Sequence, residues 1–165
     1  MICIFTDGAC STKTRIGGWG FQVVDCEHND DVLDVRSGAA TNTTNNEMEL
    51  TALANALDWV NNHIINEPVQ IFCDSAYIVN CFEEEWYKKW QNNGWMTADR
   101  KPVKHQELWR HILDTYNKLN LVDPFNALRI SIVKVQAHSG CSGNEAADKA
   151  AVDAKNKLAQ EKGSK

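Results

Sequence analysis

The 165-residue sequence predicts an α/β fold, a five-stranded mixed sheet with three antiparallel strands and then two parallel ones, flanked by helices, in a single domain. Three observations carry this reading. The β-rich segments MICIFTD, Gly17–Val24 and Val32–Ser37 follow one another at hairpin spacing. Beyond them, strand and helix patterns alternate. A short internal echo, Ile4-Phe5-Thr6-Asp7-Gly8 against Ile71-Phe72-Cys73-Asp74-Ser75, then ends two apolar strands on an aspartate.

The helix after the meander is the best defined. From Met48 to Asn62 there is no Gly or Pro, Ala and Leu are frequent, and apolar residues recur at helical spacing. With successive residues about 100° apart, Glu47, Thr51, Asn55, Asp58, Asn61 and Asn62 share a polar arc, while Glu49 falls among Met48, Ala52, Leu53, Ala56, Leu57 and Val60. Glu47 is thus expected to face water and Glu49 the core, with Asn45 or Asn46 as cap. A carboxylate on a buried face is costly unless a cation, donors or a proton compensate it.

Pro68 precedes a strand Val69–Cys73, and a helical stretch opens at Ser75. A loop from Asn92 to Pro102 leads to an amphipathic helix at about Lys104–Leu119, with Leu108, Trp109, Ile112, Leu113 and Tyr116 inside. A strand Arg129–Val135, a glycine-bearing loop and an Ala-rich helix from about Asn144 complete the order, with Gln160–Lys165 expected to fray.

Composition excludes several classes. No apolar run is long enough to span a membrane, and MICIFTDG lacks a charged leader, so a cytoplasmic address is expected. The six cysteines show no C-x-x-C pair and no zinc-ligand spacing with histidines, and free thiols are expected. A net charge of -5 argues against a disordered basic nucleic-acid binder. The balance is uneven, however. Between Trp86 and Lys104 stand Lys88, Lys89, Arg100, Lys101 and Lys104 against only Asp99, which suits a polyanion in one region and cations in another.

If the two echoed strands lie side by side and parallel, Asp7 and Asp74 become neighbours at about 4.8 Å, and two adjacent carboxylates call for a cation between them. On the last helix Ala147, Ala150, Ala151, Ala154 and Leu158 form a narrow face suited to close packing on a sheet, with Asp148 at its margin and Glu145 toward solvent. His138 precedes a loop with two glycines, and its near-neutral titration suits proton transfer.

Five spaced motifs, TDGAC (6–10), TTNNEMELTAL (43–53), CDSAYIVN (73–80), GWMTADRKPVKHQELW (94–109) and AHSGCSGNEAADKAA (137–151), span nearly the whole chain in order. Together they closely resemble the type 1 ribonuclease H family. The resemblance implies an endonuclease that cuts the RNA strand of an RNA/DNA hybrid and leaves 5′-phosphate and 3′-hydroxyl ends. It assigns a carboxylate tetrad to Asp7, Glu49, Asp74 and Asp148 and the loop histidine to His138. It also implies two Mg²⁺ ions, about 3.5 to 4 Å apart, with Mn²⁺ as a possible substitute. Asp7 would bridge the ions, Asp74 would complete one, and Glu49 with Asp148 the other.

The same resemblance makes Trp86–Lys104 a basic protrusion, with Lys88, Lys89, Trp90, Trp95, Arg100, Lys101 and Lys104 on a phosphate track. Trp90 or Trp95 is expected to touch deoxyribose and Trp109 to be buried. Thr44 and Asn45 match positions that contact a DNA phosphate and the RNA sugar. Two features depart from the family pattern. The loop Ser11–Ile16 lacks the usual Gly, Pro and Asn content and places Lys13 where an RNA-contacting Asn is frequent; His105 stands where Asn is common. A DEDD exonuclease would need D-x-E on the first strand, where Asp7-Gly8-Ala9 stands. An inactive hybrid-binding module would have lost a tetrad carboxylate, and a domain of a viral or mobile-element replication protein is the further alternative. Met1 and the short tail favour a free-standing enzyme and leave a viral or mobile-element origin open; a monomer is expected.

Overall fold

The computed structural model describes residues 1–28, 31–63, 65–120, 130–135 and 142–163. Three strands, β1 (Ile2–Cys10), β2 (Gly17–Asp25) and β3 (Asp31–Ala40), form an antiparallel meander. They are followed by α1 (Asn45–Asn61), β4 (Val69–Cys73), α2 (Ala76–Glu83), α3 (Trp86–Asn92), α4 (Gln106–Asn120), β5 (Ile130–Lys134) and α5 (Ser142–Gly163). The sheet order is β3-β2-β1-β4-β5, with β4 parallel to β1 and β5 parallel to β4. The mixed sheet expected from the sequence is the one found, with β1 at its centre.

The two faces of the sheet are covered differently. On one, α1 packs against β1 and α4. Leu50, Leu53 and Leu57 of α1, Trp109, Ile112 and Leu113 of α4, and Ile4, Val23 and Ile71 of the sheet form the main core there, all essentially solvent-free. On the other face, α5 lies across β1, β2 and β3 above a smaller cluster of Cys3, Phe5, Val24 and Ala147. This asymmetry follows from side-chain size: the large residues of α1 and α4 need a thick layer, whereas the alanines of α5 allow packing at backbone distance. Trp109 is buried, as expected.

Several boundaries differ from the sequence reading. Helix α1 begins at Asn45, and its cap is Thr44, whose hydroxyl accepts from Glu47 N at 3.2 Å. Neither Asn45 nor Asn46 serves as the cap; the Asn45 Oδ1 instead accepts from Cys10 N at 2.8 Å. Helix α5 continues through Gly163, so residues 160–163 are helical rather than frayed. The expectation of free thiols also fails, because Cys3 and Cys26 form a disulfide. Cys3 lies opposite Val24 in the β1–β2 ladder, and Cys26 follows that ladder's last pair, which brings their Cα atoms to 6.3 Å. A pair created by hairpin register, 23 residues apart, leaves no short-spacing signature in the sequence. Cys10, Cys73 and Cys81 are free.

Candidate metal centre and nucleic-acid groove

Asp7 stands near the carboxyl end of the central strand, and two glycines let helices approach it from opposite faces. A Cβ on Gly8 would overlap the backbone of Met48 and Glu49, so glycine allows the first turn of α1 to press against β1. On the adjacent strand, Gly20 is the ladder partner of Asp7, and a Cβ there would lie 2.8 Å from Ala150 Cβ and 3.0 Å from Ala147 O. The small face of α5 thereby descends onto β2 and brings Asp148 beside Asp7. Asp74 follows β4, two residues beyond the Phe5↔Phe72 pair, in the position equivalent to Asp7 on β1.

One carboxylate oxygen from each of Asp7, Glu49 and Asp74 lies within 4.8 Å of the others. Asp7 is buried; Glu49 and Asp74 are partly so. Burial, hydrogen bonding with the Asp148 carboxyl and the charge of Asp74 push Asp7 up to about 8, against the lowering effect of the Gly8 amide. Burial and the charge of Asp74 push Glu49 up to about 7, with the Ser75 hydroxyl opposing the shift. Among the described residues, no lysine, arginine or histidine forms an ion pair with these carboxylates. Hard oxygen donors converging in this way are the donor set for a divalent ion, so the residues fit the metal that the sequence implies.

The face argument for the two glutamates holds. Glu49 joins the cluster, whereas Glu47, also partly covered, borders a separate hollow with Thr51, Gln106 and His111. Asp148 is exposed on α5 and meets the site through Asp7. Glu145 is exposed, as expected. His138 lies outside the described residues.

A cavity of about 640 Å³ is lined in part by Lys89, Trp90, Lys101, Lys104 and His105. Trp86, at the start of the predicted basic segment, also lines it, as do Asn46 and Tyr77, which sequence reasoning missed. Tyr77 comes from α2, whose short length hides the periodicity that would have marked its outer face. Lys13, Thr44, Asn45, Lys88 and Arg100 are exposed, with Lys88 paired to Glu85 at 3.0 Å.

The exposure expected of the tryptophans is corrected. Trp90 and Trp95 are only 8% and 6% exposed. Their rings pack together at 5.9 Å, Trp90 meets Trp109 at 5.5 Å, and the Arg110 guanidinium sits 4.5 Å above Trp95. They support the basic segment from within, and Trp90 also lines the cavity. His105 has φ 60°, a left-handed conformation in which asparagine is comfortable, so the departure there changes backbone preference as well as side-chain chemistry.

The RNase H family model matches residues 1–156. Similar chains include the Ribonuclease H of Acetivibrio thermocellus, 39% identical over 92% of each chain, and that of Prosthecochloris aestuarii, 39% identical over 89% of this chain and 90% of its own. Among solved structures, the foamy viral protease-reverse transcriptase in complex with RNA/DNA hybrid superposes with a TM-score of 0.76 at 26% identity, covering 94% of this chain and 20% of the viral one. The chain belongs to the RNase H family. No described helix is long and apolar enough to cross a membrane.

Proposed function

We propose that the protein hydrolyses the RNA strand of RNA/DNA hybrids as an endonuclease, leaving 5′-phosphate and 3′-hydroxyl ends, with Mg²⁺ as cofactor and Mn²⁺ as substitute. The observation that carries this reading is the convergence of Asp7, Glu49 and Asp74 within 4.8 Å, with no ion-paired cation among the described residues. Asp7, Glu49, Asp74 and Asp148 would hold two divalent ions, which when bound lower the pKa of a water and stabilise charge on the leaving oxygen. The chain's own task is to hold four acidic groups fixed near one another. Buried Asp7 and Glu49 give up their protons readily only when positive charge replaces them. His138 would assist proton movement during turnover.

Hybrid binding is assigned to Lys13, Lys88, Lys89, Arg100, Lys101 and Lys104 for phosphate, with Thr44 and Asn45 at the sugar-phosphate backbone. Two hydrogen bonds support the last pair. The Thr44 oxygen accepts from Glu47 N, which leaves its proton for a phosphate, and the Asn45 Oδ1 is committed to Cys10 N, which leaves its amide NH₂ for a 2′-hydroxyl. The solved relative bound to RNA/DNA hybrid supports the same substrate class. We further assign the enzyme to the cytoplasm, acting as a monomer.

Labelled RNA/DNA duplex incubated with and without Mg²⁺ tests the reading. Cleavage of the RNA strand that needs the ion, spares a matching DNA/DNA duplex and disappears in Asp7→Asn is the expected result. Undiminished turnover by Asp7→Asn, or no cutting by the wild type with either ion, would refute it.

A further inference from the structure

The parallel ladder between β1 and β4 runs from Ile2↔Val69 to Phe5↔Phe72 and ends two residues before Asp7 and Asp74. Beyond that pair, β4 follows its other neighbour: Cys73 pairs with Lys134, and its carbonyl accepts from Val135 N at 2.9 Å. The two strand ends that carry the aspartates are therefore not joined by further ladder pairs.

One cross-strand bond continues past the ladder. Thr6, only 1% exposed, donates its hydroxyl to Phe72 O at 3.0 Å. Thr6 immediately precedes Asp7, and Phe72 lies two residues before Asp74. Side chains alternate along a strand, so Thr6 projects to the sheet face opposite Asp7 and acts on the site only through the main chain. A hydrogen-bonded threonine in a strand interior is ordinarily a matter of stability alone. Here its position, at the first step where the ladder is missing, gives it a second consequence.

We propose that Thr6 is a positioning residue for the metal centre, its bond to the Phe72 carbonyl fixing the separation of the strand ends that bear Asp7 and Asp74. The inference rests on the reading of those aspartates as metal ligands. Partners that orient ligands commonly affect metal affinity by about 10–100-fold. The bond itself is short-range and directional, so a hydroxyl at this position should matter more than bulk.

Thermal melts of the nucleic-acid-free protein across a Mn²⁺ series, with wild type, Thr6→Val and Thr6→Ser, test the proposal. Thr6→Val is expected to need about tenfold more Mn²⁺ than wild type for half of its metal-induced rise in Tm, with Thr6→Ser restoring the wild-type midpoint. The Mn²⁺ midpoint for hybrid cleavage should shift in the same order. A Thr6→Val protein with a lower metal-free Tm but an unchanged Mn²⁺ midpoint would overturn the proposal and leave the metal reading intact. A wild type that gains no stability from Mn²⁺ would overturn both. Thr6→Ala, which removes the same hydroxyl and leaves no γ-methyl groups to be placed, carries the comparison if Thr6→Val does not fold.

Discussion

Asp7 is the residue at which burial and charge conflict most directly. In the metal-free protein its carboxyl is raised to about 8, and that of Glu49 to about 7, so the folded state retains protons that the unfolded chain releases near the ordinary carboxyl range. More protons bound in the folded state means that stability falls as pH rises. The contribution is fully present below the unfolded pKa values and is lost as pH passes through about 7 to 8. Asp7→Asn removes the charge that must be desolvated. In chelator, its Tm should exceed that of the wild type by a margin that widens between pH 5 and pH 8.5 (rough limits set by the two raised groups). A gap that stays constant across that range would show that Asp7 is not held protonated by its surroundings.

At the scale of elements, the site depends on how closely two helices approach the central strand. Gly8 faces the backbone of residues 48 and 49, and any side chain there must push α1 outward. Gly8→Ala should destabilise the fold by about 1–3 kcal/mol, through overpacking against main chain that cannot rotate away. It should also weaken divalent binding, because Glu49 moves with its helix. Denaturant unfolding and metal titration of the same variant check both parts; a variant as stable and as metal-responsive as wild type would contradict the packing argument. The identity of α1 and the direction of Glu49 could be read from helical periodicity, since a long helix repeats its signal over several turns. Its start could not be, because Thr44, Asn45 and Asn46 are all acceptable caps and only the bond from Cys10 N removes Asn45 from the competition. The echo between β1 and β4 revealed which strands pair, because strand ends carry chemistry in register. The exposure of Trp90 and Trp95 was not legible for the opposite reason: basic–aromatic alternation on short elements does not show how far a ring is covered by its neighbours.

For the whole molecule, the separation of charge is the organising feature. Acidic groups gather at the end of the sheet, while Lys89, Lys101 and Lys104 line a cavity of their own on a protein of net charge -5. Sequence composition alone located the basic segment, but only the fold brings its lysines to one cavity with Asn46 of α1 and Tyr77 of α2. Removing a cation that neutralises a phosphate should reduce the salt dependence of hybrid binding, because fewer counterions are then released. Lys101→Ala is expected to lower the slope of log affinity against log salt by about 1 while leaving fold stability within about 0.5 kcal/mol of wild type. An unchanged slope would remove Lys101 from the phosphate track. The Cys3–Cys26 disulfide was hidden for a related reason: its partners meet only after the β1–β2 hairpin has formed. The central claim, however, concerns the acidic cluster, and calorimetric titration of Mg²⁺ into the hybrid-free protein tests it most directly. Binding near pH 7 should release protons from Asp7 and Glu49, seen as a dependence of the heat on buffer ionisation enthalpy, and should vanish in Asp7→Asn. Equal binding by wild type and Asp7→Asn, or binding near neutral pH without proton release, would contradict a site made of buried carboxylates awaiting a cation.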